Sequence, residues 1–388
     1  MKGALGDLVV LDFSRVLAGP YCTMLLADMG AEVIKIEKPD YGDDSRFFGP
    51  FQEGESAYFA MLNRGKKSVT LDLKSTESIQ MIQQFVKEAD VVVENFRPGV
   101  MERLGLGYES LSAINPKIVY ASISGFGQYG PYRERPAYDL VAQAMGGMMS
   151  MTGFPGHAPT RAGSSLGDMG AALYTAYGIM VALHDRERTG LGQYVDVAMT
   201  DSMIALLESN MMRFTSEKTI PEPSGAKHPI SAPFDCFKTN DHYLVIAVAN
   251  DALFAKLCSC MDRVSLCEDS RYRSDVLRAS NEASLKKEIE EWLSRYSVEE
   301  AVARLTEYGI PCAPIHDVRD IYEDEHTWAR EMLVEVKGRD GKPMIVTGNP
   351  VKLSRTPANI GQSIPELGEH TAQMKRPVGK QGVIKNEF

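Results

Sequence analysis

The stretch LVVLDFSRVLAGPYCTMLLADMGAEVIKIE (8–37) decides the fold. A β-type apolar run, LVVLDF, passes into a helical stretch, PYCTMLLADMG, and then into a second apolar run, AEVIKIE. Working outward, the rhythm repeats: SIQMIQQFVKEAD (78–90) reads as helix, while DVVVEN (90–95) and KIVYASISG (117–125) read as strands. Strands that alternate with helices make βαβ units around a mainly parallel sheet, so the fold class is α/β. Two long helical patterns follow, at roughly 138–149 and 168–187, then a strand at 193–199 and a helix to about Asn210. Residues 215–230, TSEKTIPEPSGAKHPI, are polar and carry three prolines and a glycine, which marks a linker. Beyond it PFDCFKTNDHYLVIAVA (233–249) reads as a hairpin turning at Asn240 and Asp241. Helices dominate 251–309, and MLVEVKGRDGKPMIV (332–346) reads as a second hairpin turning near Asp340 and Gly341.

With 388 residues the chain exceeds what one core usually serves, so two domains are expected. Lys and Arg number 42 against 52 Asp and Glu, a net charge of −10, which argues against nucleic acid as a partner. The N-terminus lacks the apolar run of a signal peptide and no apolar stretch reaches 18 residues, so no membrane partner is expected and the cytoplasm is the expected location. Six scattered cysteines form no CxxC pair and match no histidine spacing, so no metal is expected.

Two motifs mislead. Gly125, Gly127 and Gly130 spell GxGxxG after a predicted strand, but PYRERP follows where a dinucleotide site needs a helix, so NAD is not expected. Gly163, Ser165 and Gly167 spell the GxSxG of serine hydrolases, but PTRA ahead of them is not the buried strand of a nucleophile elbow. In the same turn Asp168 follows Gly163 and Gly167 and precedes a long small-residue helix. There a helix N-terminus favours an anion, which makes Asp168 a candidate nucleophile; Asp is also a common N-cap, and the segment alone leaves both readings open.

VLDFSRVLAGPYCTMLLADMGAEVIKIEKP (10–39), NRGKKSVTLDL (63–73), DVVVENFRPGVMERLGLGYE (90–109), NPKIVYASISGFGQYGP (115–131), PAYDLVAQAMGG (136–147) and GLGQYVDVAM (190–199) resemble class III CoA-transferases, the CaiB/BaiF family. The resemblance continues through ANDALFAKLC (249–258), GIPCAPIHDV (309–318) and IPELGEHT (364–371). It implies a Rossmann-like large CoA-binding domain over 1–214, the linker at 215–230, a smaller α+β domain over 231–320, and a C-terminal segment, 321–388, that returns to the large domain. It also implies an intertwined homodimer in which each chain passes through a ring formed by the other.

For chemistry, the resemblance implies that Asp168 attacks an acyl-CoA and that the acceptor is a small carboxylic acid, with succinyl-CoA a plausible donor. A carboxylate is ionised at neutral pH without a helper base, and its attack on a thioester yields an anhydride and CoA thiolate. Val16, Lys38, Asn95, Arg103 and Tyr138 carry over as CoA contacts, with Arg97 and Lys66 added on charge and position. Arg15, Arg46 and Arg161 are candidates for a substrate carboxylate. The glycine run that closes the site in formyl-CoA members is absent, and Leu17 stands where those members have a glutamine, which argues for a less polar acyl pocket. α-Methylacyl-CoA racemases of the same fold use a histidine where this chain has Tyr138, a poor base at neutral pH, so transfer is favoured over racemisation.

Overall fold

A computed structural model describes residues 3–338, 341–361 and 363–374. The chain divides into two compact units. One takes residues 1–148, 161–212 and 325–388, the other 149–160 and 213–324. The second unit therefore includes 149–160, a stretch that the sequence reading assigned to the large domain, and all of the 215–230 linker.

In the larger unit six strands form one parallel sheet: β1 (Val9–Asp12), β2 (Glu32–Glu37), β3 (Lys67–Thr70), β4 (Val91–Glu94), β5 (Val119–Ser124) and β6 (Tyr194–Ala198). Their order is β3-β2-β1-β4-β5-β6. This is the Rossmann order, in which ligands bind beyond the carboxyl ends of the two strands where the winding reverses, here β1 and β4. The strands are nearly continuous apolar runs because helices cover both faces. Helix α1 (Ala18–Asp28) and helix α4 (Leu166–Thr189) bury one face around Val10, Val33, Val93 and Ile123.

The pattern at 138–149 is broken into α3 (Asp139–Met145) and one further turn at Met148–Met151. Gly147 has φ +86°, and a Cβ on Gly146 would strike the Met203 side chain at 2.3 Å, so the two glycines end the helix where backbone and side chain must pass closely. Helix α4 is also longer than its apolar segments suggested. It holds an 18-residue window of mean hydropathy 1.3, long and apolar enough in composition to cross a membrane. One face of it, Ala171, Ala172, Ile179 and Ala182, is instead core.

Several short helices were not anticipated, among them Tyr108–Ile114, Asn210–Glu217, which runs into the expected linker, and α2 (Ala57–Asn63), capped by the Ser56 side chain on the Phe59 amide. The hairpin formed by Leu333–Lys337 and Pro343–Thr347 supplies Val336, Met344 and Val346, which pack with Phe59 and Ala60 of α2. Of its expected turn, Asp340 lies outside the described residues. The chain then runs to the sheet edge, where the Ser68 carbonyl accepts the His370 amide at 2.9 Å and the Gly65 amide reaches the Ser363 carbonyl at 2.9 Å.

The smaller unit is built on a three-stranded antiparallel sheet with Tyr243–Ala247 between Phe234–Lys238 and Cys312–Pro314. Phe237, Leu244, Ile246, Ile289 and Trp292 fill its core.

Candidate active site

The rim of the sheet at the β1/β4 switch is a set of short loops held by buried charge. Asp12 ends β1 and Lys66 lies just ahead of β3. The Lys66 ammonium donates to Asp12 Oδ2 (3.0 Å), the Pro20 carbonyl (2.9 Å), Thr23 Oγ1 (2.7 Å) and Asn63 Oδ1 (3.0 Å). Four acceptors and complete burial leave nothing for a phosphate, so the expectation of a CoA contact at Lys66 is corrected. Its neighbourhood in sequence, NRGKKS, reads as solvated, and only the tertiary fold gathers the acceptors. Burial lowers the Lys66 ammonium to about 8 even with Asp12 opposing it. Burial pushes the Asp12 carboxyl up, but Lys66 and Lys35 outweigh that and hold it below its ordinary value.

Beside this pair, Lys35 of β2 meets Asp43 Oδ2 at 2.7 Å, both buried. Asp43 Oδ1 also accepts from the Ser45 amide and hydroxyl, each at 2.8 Å. Burial pushes Asp43 up, and Lys35 with those donors reverses this and holds it well below the usual carboxylate range. Arg46 is spent as well. Its guanidinium clasps Glu37 (2.7 and 2.8 Å) and the Pro365 carbonyl and lies 3.8 Å from the Phe59 ring centre, so it is not a free substrate contact.

The remaining carried-over residues line the carboxyl ends of the central strands. Val16 follows β1, Lys38 follows β2 directly, Asn95 follows β4 directly, and Arg97 and Arg103 lie in the turn and short helix after it. Lys38, Arg97 and Arg103 are exposed, and none has a carboxylate partner among the described residues. Asn95 is already engaged: its Oδ1 accepts the Arg15 amide at 2.9 Å and its Nδ2 donates to the Arg15 carbonyl at 2.8 Å. Tyr138, 83% exposed, immediately precedes α3.

Asp168 lies in the first turn of α4 and is not its cap. Ser165 holds the cap position without a side-chain bond, and the cap comes from the neighbouring helix, where Asp139 Oδ1 accepts the Gly167 amide at 2.8 Å. Asp139 and Gln143 share one face of α3, being four residues apart. Gln143 Nε2 donates to Asp139 Oδ2 at 2.8 Å, and Gln143 Oε1 accepts the Ala162 amide at 3.0 Å. Together they hold both ends of the 162–167 turn. The Asp168 carboxylate itself accepts no hydrogen bond from the described residues, which removes the capping reading left open by the sequence. Burial, and then the charge of Asp139, raise it to about 7. The sequence reading had it ionised at neutral pH; it is near its midpoint there.

Tyr58 of α2 feels the charge of Asp168 and is absent from the sequence candidates, because AYFAMLN gives no signal beyond a buried helix. Burial first, then the charges of Asp168 and Asp43, push its phenol up to about 12. Among the described residues no three His, Cys, Asp or Glu side chains form a metal-holding group.

A Rossmann-ordered sheet with unpaired cations on its switch-point rim, together with an unpaired carboxylate in the first turn of a helix, points to a class: an enzyme that handles a nucleotide-bearing substrate with a carboxylate. Residues 5–371 match the sequence model of CoA-transferase family III, and the chain belongs to that family. It is 42% identical to the succinyl-CoA:mesaconate CoA-transferase of Haloarcula hispanica, over 97% of each chain. It is likewise 42% identical to the acetyl-CoA:oxalate CoA-transferase of Acetobacter aceti, over 91% of this chain and 90% of the other. The crystal structure of a CaiB/BaiF family protein from Brucella suis superposes with a TM-score of 0.86 at 37% identity, covering 96% of this chain and 99% of that one.

Proposed function

We propose that this CoA-transferase moves CoA from a dicarboxylyl-CoA such as succinyl-CoA to a small carboxylic acid, with Asp168 as the nucleophile. The supporting observation is the Asp168 carboxylate itself: uncapped, unpaired and raised to about 7, it keeps its lone pairs for a carbonyl carbon. Ionised Asp168 attacks the thioester, and the C–S bond breaks to give an aspartyl anhydride and CoA thiolate. The thiolate attacks the aspartyl carbonyl, releasing the donor acid and leaving an aspartyl-CoA thioester. The acceptor carboxylate attacks that thioester, and the thiolate then takes the acceptor acyl group from the second anhydride, freeing Asp168. The thioester's free energy is retained throughout, provided water is kept out.

Lys38, Arg97 and Arg103 supply the charge that CoA phosphates need, on the strand ends where the fold binds ligands. Arg161, its side chain 53% exposed and only loosely paired with Asp139 Oδ2 at 4.0 Å at the start of the Asp168 turn, is the candidate for the second carboxylate of a dicarboxylic substrate, since Arg46 is spent and Arg15 pairs with Asp44 at 2.9 Å. The relatives named for mesaconate and oxalate act on dicarboxylic acids, which supports this choice.

The working form is a homodimer. Leu173, Tyr177, Met180 and Val181 on α4, with Leu140 and Met145 on α3, leave large apolar side chains in water, a surface that a second copy would cover. The decisive experiment incubates enzyme with succinyl-CoA, adds hydroxylamine and maps the modified peptide. A hydroxamate on Asp168 is expected, and an active preparation whose Asp168 stays unmodified refutes the assignment.

A further inference from the structure

Val16 has φ +68°. The other described non-glycine residues with positive φ are Asp, Glu or Lys; Val16 alone is β-branched, and for such a side chain this conformation is strained. Strain of this kind persists only where the surroundings over-determine it, and here each residue from 14 to 16 is gripped by a side chain from elsewhere. Ser14 donates its amide to Asp12 Oδ1 (2.9 Å) and gives its carbonyl to Lys35 Nζ (2.9 Å). Arg15 is held at both backbone groups by Asn95. Val16 donates its amide to Asp43, 3.1 Å from Oδ1 and 3.3 Å from Oδ2. Asp43 in turn is fixed by Lys35 at 2.7 Å, and its own amide donates to Glu37 Oε2 at 2.9 Å.

We infer that the buried Lys35–Asp43 pair is a clamp that holds the strained Val16 loop in its ligand-ready shape before CoA arrives, so that Asp43 and Lys35 are positioning residues for CoA binding. The inference rests on the reading that this loop meets CoA. With the Val16 amide already spent on Asp43, the loop meets its ligand with the carbonyl and side chain, and their direction is set by the φ that the clamp enforces. A loop ordered in advance loses less entropy on binding, so the pair acts on affinity and leaves the chemical step alone.

The test is a double-mutant cycle on the full chain. CoA affinity by calorimetry, and KM and kcat by steady-state assay, are measured for wild type, Asp43→Asn, Val16→Gly and the double variant. Asp43→Asn is expected to weaken CoA binding by about tenfold, with KM moving and kcat nearly constant. In the Val16→Gly background the same substitution is expected to cost less than about threefold, because glycine takes positive φ unaided. Equal losses in the two backgrounds, in variants that melt cooperatively, overturn the clamp. If Asp43→Asn does not fold, hydrogen exchange on wild type decides: the peptide spanning 13–20 is expected to be protected without CoA, and protection that appears only on adding CoA overturns the proposal. Wild type with no CoA affinity at all removes the functional reading, and the clamp with it; CoA binding with background-independent losses removes the clamp alone.

Discussion

Asp43 and Asp168 both raise the same phenol, that of Tyr58, yet stand in opposite electrostatic states. Asp43 is surrounded by a lysine, two serine donors and the Val16 amide, and stays ionised far below the usual carboxylate range. Asp168 has no donor and a like-charged neighbour, and is raised to about 7. A carboxylate whose lone pairs are all occupied can only fix geometry, whereas one left unpaired in a partly buried site keeps them for a reaction. The β1 rim is therefore scaffold and the α4 turn is chemistry.

The harshest way to break this division is to remove the unpaired member. Asp168→Ala should lower turnover by at least about four orders of magnitude while CoA affinity stays close to wild type, as expected when a nucleophile is lost but binding is kept. Near-normal turnover would move the chemistry elsewhere. Ser165→Ala, one turn back, should keep substantial activity.

On the scaffold side the expected damage is to stability. Lys66→Met leaves Asp12 buried and unpaired, at a cost of about 3 to 5 kcal/mol in denaturant unfolding. A loss below about 1 kcal/mol would show that the network is dispensable.

Between the two lies the cationic rim. Arg103→Ala or Lys38→Ala should cost about 1 to 3 kcal/mol in CoA binding by calorimetry, and wild-type affinity should fall as salt is added. Two variants that bind as wild type does would relocate the phosphates.

The pH response sharpens the comparison further. Asp168 must be ionised to attack, so kcat/KM should climb with pH through about 7 and level off above it. Asp139→Asn removes the second cause of the raised value and should move that midpoint down by about one unit or less, burial being the larger cause. An unmoved midpoint would assign the whole shift to burial.

The smallest effect is on folding. A carboxyl raised in the native state binds more protons there than in the unfolded chain between about 4 and 7, so ionising it opposes folding as pH rises across that window. Asp168→Asn should then melt a few degrees above wild type at pH 8, with the gap closing toward pH 4.

Transfer and racemisation separate in the same tube. With an α-chiral acyl-CoA in heavy water the α-hydrogen should stay in place while CoA moves to an added acid. Rapid α-deuteration without CoA exchange would make Asp168 a base.

Much of this was legible in the sequence because it is local. Strand runs and helix patterns report burial directly, and Asp168 stands out behind its glycines. The division of labour among the charges was not legible, because it depends on groups distant in the chain. Lys66 looks like a surface lysine until Pro20, Thr23 and Asp12 are brought to it, and Arg46 looks free until Glu37 and residue 365 close on it. Whether Asp168 capped its own helix turned on Asp139, 29 positions earlier, taking that place first. Residues 138–149 read as one helix because periodicity does not register that Gly146 must clear Met203.

The last stretch of chain that reaches the sheet edge carries a consequence for synthesis. Strand β3 is an edge strand, and the groups that cover it, Gly368, His370 and Thr371, leave the ribosome about 300 residues after it does. Throughout translation of the smaller unit, that edge and the Glu37–Arg46 clasp that awaits the Pro365 carbonyl stand open to any passing strand. A nascent chain of this protein is most vulnerable to mispairing at its longest incomplete length, and a stop codon a few dozen residues early would leave the parallel sheet built but its edge uncovered.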